Sequence, residues 1–416
     1  MDSLNSFALE SNRQIKINFD GGDLSSDAGL LLIKEFTCKL GFVKLLKSLF
    51  KTNDTALLRH HKDDENLWQV IYQILGAYFE DDCADELIHD PVLTAILDKK
   101  VLASQPTLSR FFKRPQLLLL DLDSTLLDTY GHQEGEGFNF HYQSHGYHPL
   151  VCYDGMTGDL LKIELRNGTD YSSTGVVEFL QPLLDEFLTD YPQLPLLLRG
   201  DSGFAKPELY EQCETNGVSY VIRLKENSTL RELATDIDQS LTEATRNDMV
   251  SYAVCYGEFL YQAGSWKYPR RVVCKVEKPS DQLIHMYTFI VTNMDSTPEE
   301  LIRFYCKRGS MENFIKESKN GFDFTAVSSS SKIVNANRLQ VHALAYNIFN
   351  WFKRLVLPVK MRKQQIDTIR LKLLKIAAKA VHSARYITFK LCSSCPYKDE
   401  FYETLENIRG LQPQVE

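Results

Sequence analysis

Leu117-Leu118-Leu119-Leu120-Asp121-Leu122-Asp123-Ser124-Thr125 opens the part of the chain whose pattern decides the fold. A continuous apolar run that ends in acids reads as a central strand buried on both faces. Phe138 to Cys152 and Leu160 to Arg166 read as two further strands, with glycine-containing turns at Gly146 and at Asp154 to Gly158. Strands joined this closely predict an antiparallel meander. Val177, Leu180, Leu183, Leu184 and Phe187 then recur at helical spacing within Thr174 to Thr189. A strand from Leu194 to Leu198 ends at Arg199-Gly200-Asp201. A helix around Pro207 to Asn216 and a strand from Val218 to Leu224 complete the order βββαβαβ.

Beyond Lys225 the character changes. After a helical stretch to Ala244, the residues Tyr252, Tyr256, Phe259, Tyr261, Trp266 and Tyr268 stud short β-like runs, and Met286 to Val291 reads as a strand. This predicts a mostly β insertion at 226–296, ahead of a helix that starts near Pro298. Before the core, residues 1–115 read as a strand, Ile15 to Phe19, and mostly helical segments, a candidate DNA-binding region. The turn Asp20-Gly21-Gly22-Asp23 ends that strand, and Ser25 or Ser26 suits the cap of the next helix. Pro106 fits a first helical position, with Leu108, Phe111 and Phe112 as an apolar stripe behind it. Residues 326–416 read as a basic helical region. There Val341, Leu344, Ile348, Trp351 and Leu355 share a stripe, a second helix runs to about Ala384, and Tyr386 to Leu391 alternates like a strand.

The chain has 416 residues, of which 44% are apolar and 25% charged, enough for two or three domains and a sizeable core. No apolar run approaches the roughly 18 residues of a membrane span. Neither a basic start nor an apolar segment marks a secretion signal, and nine scattered cysteines fit reduced thiols, so a cytoplasmic protein is expected. The net charge of −8 is unevenly spread. Lys332 to Cys392 holds thirteen Lys or Arg against one acid, Asp367, so this segment stands at +12 and the remainder at −20. Such asymmetry marks either a polyanion-binding face or the solvated side of a helical pair.

The sharpest local signal is Tyr305-Cys306-Lys307-Arg308-Gly309-Ser310-Met311-Glu312, continuing to Lys319. At about 100° per residue, Tyr305, Arg308, Glu312 and Lys319 share a wedge of roughly 60° on one helix. A carboxylate flanked by cations and a phenol suits a metal site bordered by phosphate contacts, although an Arg308–Glu312 surface pair is the default for such spacing. The strand order alters that balance. Asp123 ends the first strand and Asp201 the fourth, so a following helix can bring Glu312 to both. Three close carboxylates repel one another. Two divalent cations, Mg²⁺ or Mn²⁺ for hard oxygen ligands, relieve the repulsion and activate a nucleophile for attack on a phosphodiester.

At this point the motifs match a family. Asp123-Ser124-Thr125, Arg199-Gly200-Asp201-Ser202-Gly203-Phe204 and the Tyr305, Arg308, Glu312, Lys319 spacing resemble the DDE transposases of bacterial insertion sequences. Gln133-Glu134-Gly135, Gly146-Tyr147-His148-Pro149-Leu150, Tyr220 to Lys225 and Ser104 to Arg110 extend the resemblance to the group named after insertion sequence 1380, from about Phe19 to the basic region. The resemblance implies an α/β fold with an RNase H-like catalytic core of residues 116–225 and 297–325, interrupted by the β insertion. It implies that Asp123, Asp201 and Glu312 hold two metal ions per active site, and that Tyr305, Arg308 and Lys319 meet DNA phosphates. The basic region, including Lys353 and Arg354, would bind DNA backbone. Partners would be the terminal inverted repeats, target DNA and a second copy of the chain in the synaptic complex, on the bacterial nucleoid.

Competing readings are specific. Leu117 to Thr129 also matches the first motif of haloacid-dehalogenase-type phosphatases, with Asp121 as nucleophile and Asp123 as acid. Such enzymes need a doubly wound parallel sheet, which an antiparallel start contradicts. Asp121 remains the reserve first ligand, because alternation puts it on the face of Asp123. A domesticated, non-catalytic DNA-binding protein predicts a missing carboxylate, and none is missing. The cluster His132, His141, His145 and His148 invites a zinc site, but its spacing fits no helix pair and hairpin polar positions are the better reading. Trp266 is a candidate for stacking an unpaired base, or else part of the core of the insertion.

Overall fold

The computed structural model describes residues 7–9, 12–17, 24–40, 42, 63–79, 83–87, 89–97, 99, 102, 122–190, 195–245, 252–279, 284–306, 308–382 and 387–410. The chain divides into two compact units, Met1–Leu117 with Lys316–Glu416, and Leu118–Ile315.

In the first unit β1 (Phe7–Leu9) and β2 (Asn12–Ile17) pair antiparallel, and β3 (Leu24–Ser25) follows. The serine cap expected for the next helix is not used. Ser25 lies in β3, where its hydroxyl accepts the Asp27 amide at 3.1 Å, and α1 (Leu30–Lys39) starts after Gly29 with no side-chain cap. Leu30, Leu32, Ile33 and Phe36 bury the apolar face of α1, each worth about 1.5–3 kcal/mol relative to exposure. Then come α2 (Asp63–Leu75), α3 (Cys83–Glu86) and α4 (Pro91–Ile96). Asp90 caps α4 through the amides of Val92 and Leu93. The turn at Asp20 to Asp23, the helix around Pro106 and the run Leu117 to Asp121 lie outside the described residues.

The second unit holds the strand-rich part. Here β4 (Asp123–Ser124), β5 (Leu127–Asp128), β6 (Gly137–Asn139), β7 (Ser144–Tyr147), β8 (Leu150–Tyr153) and β9 (Leu160–Glu164) form two antiparallel sheets, ordered β4-β8-β9 and β5-β7-β6. The meander is therefore present, but the single strand expected from Phe138 to Cys152 is three. Asn139 breaks it, its Oδ1 accepting the amides of His141 and Tyr142, and Gln143 turns the chain at φ +54°. Gly146, expected in a turn, sits inside β7 opposite Asp128 and Gly137. The turn at Asp154 to Gly158 forms as expected, with the Gly158 amide donating to the Asp154 carbonyl at 2.8 Å.

Next α5 (Val176–Asp190), β10 (Leu197–Gly200), α6 (Pro207–Thr215) and β11 (Ser219–Leu224) alternate, and β10 and β11 are parallel. Residues 226–296 supply α7 (Ser228–Leu233), α8 (Thr235–Ala244), β12 (Ala253–Tyr261), β13 (Arg270–Lys278) and β14 (Met286–Thr292). Their strands continue the same sheet, in the order β10-β11-β14-β13-β12, because β14 pairs antiparallel with β11. Alternation gives this sheet two buried faces. Tyr220, Ile222, Val272, Cys274, Phe289 and Val291 join Phe179 and Leu209 in one core. Val221, Val273 and Ile290 pack on the other face against Leu301, Ile302 and Tyr305 of α9 (Pro298–Cys306).

The chain then passes into α10 (Gly309–Phe322). The continuous helix expected through Tyr305, Arg308, Glu312 and Lys319 is thus two helices. The break falls just before Gly309, where the Arg308 amide closes a turn on the Tyr305 carbonyl at 2.8 Å. Glycine is a poor helix-interior residue, and here it begins a new helix instead.

Back in the first unit, α11 (Lys332–Leu355) is largely enclosed, burying Val341, Ile348 and Phe352 along with Asn335, Asn337 and His342. The second helix expected to reach Ala384 stops early. After α12 (Ile366–Ile369) and a π turn at Arg370–Leu374, Ala378–His382 forms β15. It pairs with β16 (Ile387–Leu391) and with β3, and α13 (Lys398–Gly410) follows. Two strand partners override the helix preference of Ala377-Ala378-Lys379-Ala380. No helix among the described residues is long and apolar enough to cross a membrane.

Candidate active site

Asp123 begins β4 and Asp201 directly follows β10, so two strand ends deliver the two acids. Each carboxylate is held in the same manner. Asp123 Oδ1 accepts the Ser124 amide at 2.7 Å, and Asp201 Oδ1 accepts the Gly203 amide at 2.8 Å. Their other oxygens face one cation. Arg308 Nη2 lies 2.7 Å from Asp123 Oδ2 and 3.9 Å from Asp201 Oδ2. Arg308 stands in the joint between α9 and α10, where a helix break lets its side chain reach both strand ends. Glu312 occupies the first turn of α10, where the helix dipole favours an acid.

Anchors hold that joint in place. Arg199, one residue before the end of β10, donates to the Phe304 carbonyl at 3.3 Å and lies over the Phe304 ring at 5.3 Å. Phe314 of α10 packs on Tyr153 at 5.9 Å and fills the space beside Gly158, whose φ of +76° few other residues adopt.

Electrostatics join the three acids. Burial pushes the Asp123 carboxyl up to about 6. Arg308 and the Ser124 amide oppose this rise, and the charges of Asp201 and Glu312 add to it. Asp123, whose charge the other two acids disfavour, makes with them a hard-oxygen donor set for divalent cations, and the buried Arg308 Nε has no hydrogen-bond partner. The donor chemistry fits a metal centre in which the guanidinium now supplies the positive charge. No group of three His, Cys, Asp or Glu side chains among the described residues stands close enough to hold a metal ion as it lies.

Two residues that sequence reading did not single out complete the site. The Tyr142 hydroxyl donates to the Ser124 carbonyl at 3.3 Å, and burial, then Asp123 and Asp201, push its phenol up to about 12. Arg166 is buried two residues past the end of β9. Its Nε donates to the His148 carbonyl at 3.0 Å and its Nη1 to those of Tyr171, Ser172 and Thr174. Burial holds its pKa below the ordinary guanidinium value. Arg166 thereby ties the start of β8 to the 171–174 loop. That loop lies against Gly203, since a β-carbon on Gly203 would meet Ser172 Cβ at 3.1 Å. A buried arginine closing a strand was the available signal.

The remaining candidates fall elsewhere. Tyr305 is buried in the α9 core rather than exposed on a ridge, and burial raises its pKa. Lys319 lies on α10 beyond Glu312, in the portion belonging to the first unit. Lys353 Nζ pairs with both Glu317 oxygens at 3.2 Å, and Arg354 is half-buried beside it on α11. Trp266 is 6% exposed and enclosed by Tyr210, Tyr261 and Arg270, so it offers no free face to a base. His145 pairs with Glu136 at 3.0 Å, and His148 donates to the Asp170 carbonyl at 2.7 Å. Asp121 lies outside the described residues.

The family model described as transposase DDE domain group 1 matches residues 7–118 and 111–413, and the chain belongs to that family. A solved synaptic complex of piggyBac transposase with hairpin DNA is similar at 13% identity and a TM-score of 0.40, over 84% of this chain and 80% of that one. No curated protein matches.

Proposed function

We propose that the chain is the transposase of an insertion sequence of the 1380 group, cutting the terminal inverted repeats of its element and joining the freed 3′ ends to target DNA. The observation that carries this reading is the convergence of Asp123 and Asp201 on Arg308 at the ends of two strands, with Glu312 close enough to act on Asp123. The order of β4, β8, β9, α5, β10, α6 and β11, antiparallel at first and then parallel, supports an RNase H-like core of residues 116–225 and 297–325. The same antiparallel start speaks against the doubly wound phosphatase.

In this reading Asp123, Asp201 and Glu312 hold two Mg²⁺ or Mn²⁺ ions. Such ions, when bound, neutralise the acids and activate a water or a 3′ hydroxyl. The Ser124 and Gly203 amides fix one oxygen of each aspartate, which leaves the other oriented toward the shared locus. Arg308, once displaced from Asp123, is placed to exchange a carboxylate for a phosphate, since a guanidinium binds either in the same fork geometry. Residues 1–115 and the basic stretch from Lys332 onward would hold DNA, with affinity falling as salt rises. Two copies would bring the two ends together on the bacterial nucleoid.

Asp201→Asn tests the assignment. It keeps an oxygen for the Gly203 amide and removes the charge, so DNA binding should persist while Mg²⁺-dependent cleavage disappears. Cleavage that survives the substitution removes Asp201 from the metal site.

A further inference from the structure

The β6–β7 hairpin breaks the usual rule for aromatic residues. Phe140 is 81% exposed and Tyr142 is 39% exposed, although both stand on a tip that is built rather than loose. Asn139 is buried and holds the tip from beneath. Its Oδ1 takes the amides of His141 and Tyr142, while its Nδ2 donates to the Gly168 carbonyl at 3.0 Å. Backbone packs directly on backbone under the hairpin. A β-carbon on Gly168 would stand 2.0 Å from the Gly146 carbonyl oxygen and 2.5 Å from that of Gly137. The strained φ of Gln143 adds to the cost of this shape. Single exposed aromatics are ordinary, but two on one pinned tip call for an account.

Position supplies one. The Tyr142 hydroxyl is tied to the Ser124 carbonyl, one residue from Asp123, so its ring is anchored by the polar end. The Tyr142 ring stands in T-shaped contact with His141 and His148, centroids 4.7 and 5.7 Å apart, and Phe140 makes the same kind of contact with Phe138 at 5.2 Å. In the loop that Arg166 holds, Tyr171 is 61% exposed with Lys206 Nζ 5.8 Å from its ring centre. Its carbonyl is held by Arg166, and the next residue, Ser172, lies against Gly203 beside Asp201. Exposed aromatic rings on segments tied to the neighbours of Asp123 and Asp201, with a lysine beside one of them, match what an unpaired nucleotide offers: a π-face and a phosphate.

We propose that Phe140 and Tyr142 form a platform on which a nucleobase unpaired from the DNA next to the scissile phosphate is stacked. This role rests on the transposase reading of the carboxylates. It also moves the stacking function from Trp266, which is enclosed, to the hairpin.

The test uses a forked DNA duplex carrying 2-aminopurine as the first unpaired nucleotide, alongside the same duplex fully paired. Wild-type protein should quench the 2-aminopurine fluorescence and prefer the fork. Phe140→Ala should lose the quench and weaken fork binding by about tenfold, the size of one lost base–aromatic stack, while affinity for the paired duplex stays the same, and Tyr142→Ala should likewise lose the quench. Tyr142→Phe, which keeps the ring, should recover most of the quench. If Tyr142→Ala does not fold, Phe140→Ala carries the same comparison, because most of that ring is already in solvent. An abasic site in place of 2-aminopurine should bind wild type and Phe140→Ala equally well. Unchanged quenching in the alanine variants, or equal losses on fork and paired duplex, overturns the platform while leaving the nuclease assignment intact. A wild-type protein that binds neither DNA sinks the transposase reading, and the platform with it.

Discussion

Arg308 Nη2 sits 2.7 Å from Asp123 and 3.9 Å from Asp201, so one guanidinium serves as counter-ion to both strand-end acids. Arg308 and Asp123 are both largely buried, where removing one partner of an ion pair leaves the other uncompensated. Arg308→Gln should lower the stability of the metal-free protein by about 2 kcal/mol. It should also increase the rise in melting temperature on adding Mg²⁺ or Mn²⁺, because the cation no longer competes with the guanidinium. Thermal unfolding with and without each metal measures both effects. A variant that responds to metal less than wild type would falsify the counter-ion role.

The Asp123 carboxyl, pushed up to about 6 from 3.8, is more easily protonated in the folded chain than in the unfolded one. A raised carboxyl contributes stability that is complete below about pH 4 and is lost as pH rises through about 6. The metal-free protein should therefore lose up to about 3 kcal/mol from this group between pH 4 and 7. Asp123→Asn should flatten the stability profile in that window. Chemical denaturation at stepped pH, in EDTA, reports the slope.

Glu214 gives the opposite sign. Burial would raise its pKa, but hydrogen bonds from Arg270, Tyr268 and Tyr220 outweigh that and hold it below the ordinary glutamate value. Arg270 donates Nε to Oε1 at 2.7 Å and Nη2 to Oε2 at 2.9 Å, while its guanidinium lies over Tyr210, Trp266 and Tyr268. This contribution is present above the unfolded pKa and fades as pH falls through the folded one. Glu214→Gln should cost about 2 kcal/mol at pH 7 and progressively less as the pH is lowered through the folded pKa, as read from urea midpoints at stepped pH.

Arg166 acts through backbone carbonyls, so its geometry matters more than its charge. An ammonium cannot span His148, Tyr171 and Thr174 together. Arg166→Lys should destabilise by about 2 kcal/mol and slow DNA cleavage more than tenfold, even at temperatures where the variant is folded. Circular dichroism combined with single-turnover cleavage separates the two losses. Full cleavage by a folded Arg166→Lys protein would detach the 171–174 loop from the chemistry.

The alternation of α5, β10, α6 and β11 was legible in the chain because apolar runs there meet turns. Leu197–Gly200 leads straight into Asp201, and burial of both sheet faces produces the runs that mark β11, β13 and β14. The α9–α10 break was not legible, because angles around a helix presuppose that it continues through Gly309. Burial of Tyr305 had the same cause: the phenol belongs to the helix before the break. The strand character of Ala378–His382 was hidden as well, since its pairing with β3 and β16 is a tertiary fact with no trace in local propensity. Tyr142 escaped notice because the β6–β7 hairpin is short and its tip follows neither period.

The seamless hydrogen bonding from β10 through β11 to β14, β13 and β12 bears on any effort to build a smaller version of this protein. Residues 226–296 look removable in a linear map, yet excising them would strip β11 of β14, one of its two neighbours, and leave a row of open amides and carbonyls on a strand holding Tyr220, Val221 and Ile222. Such a naked rim recruits other chains. Minimised variants should therefore emerge as aggregates unless β14 is retained to seal it.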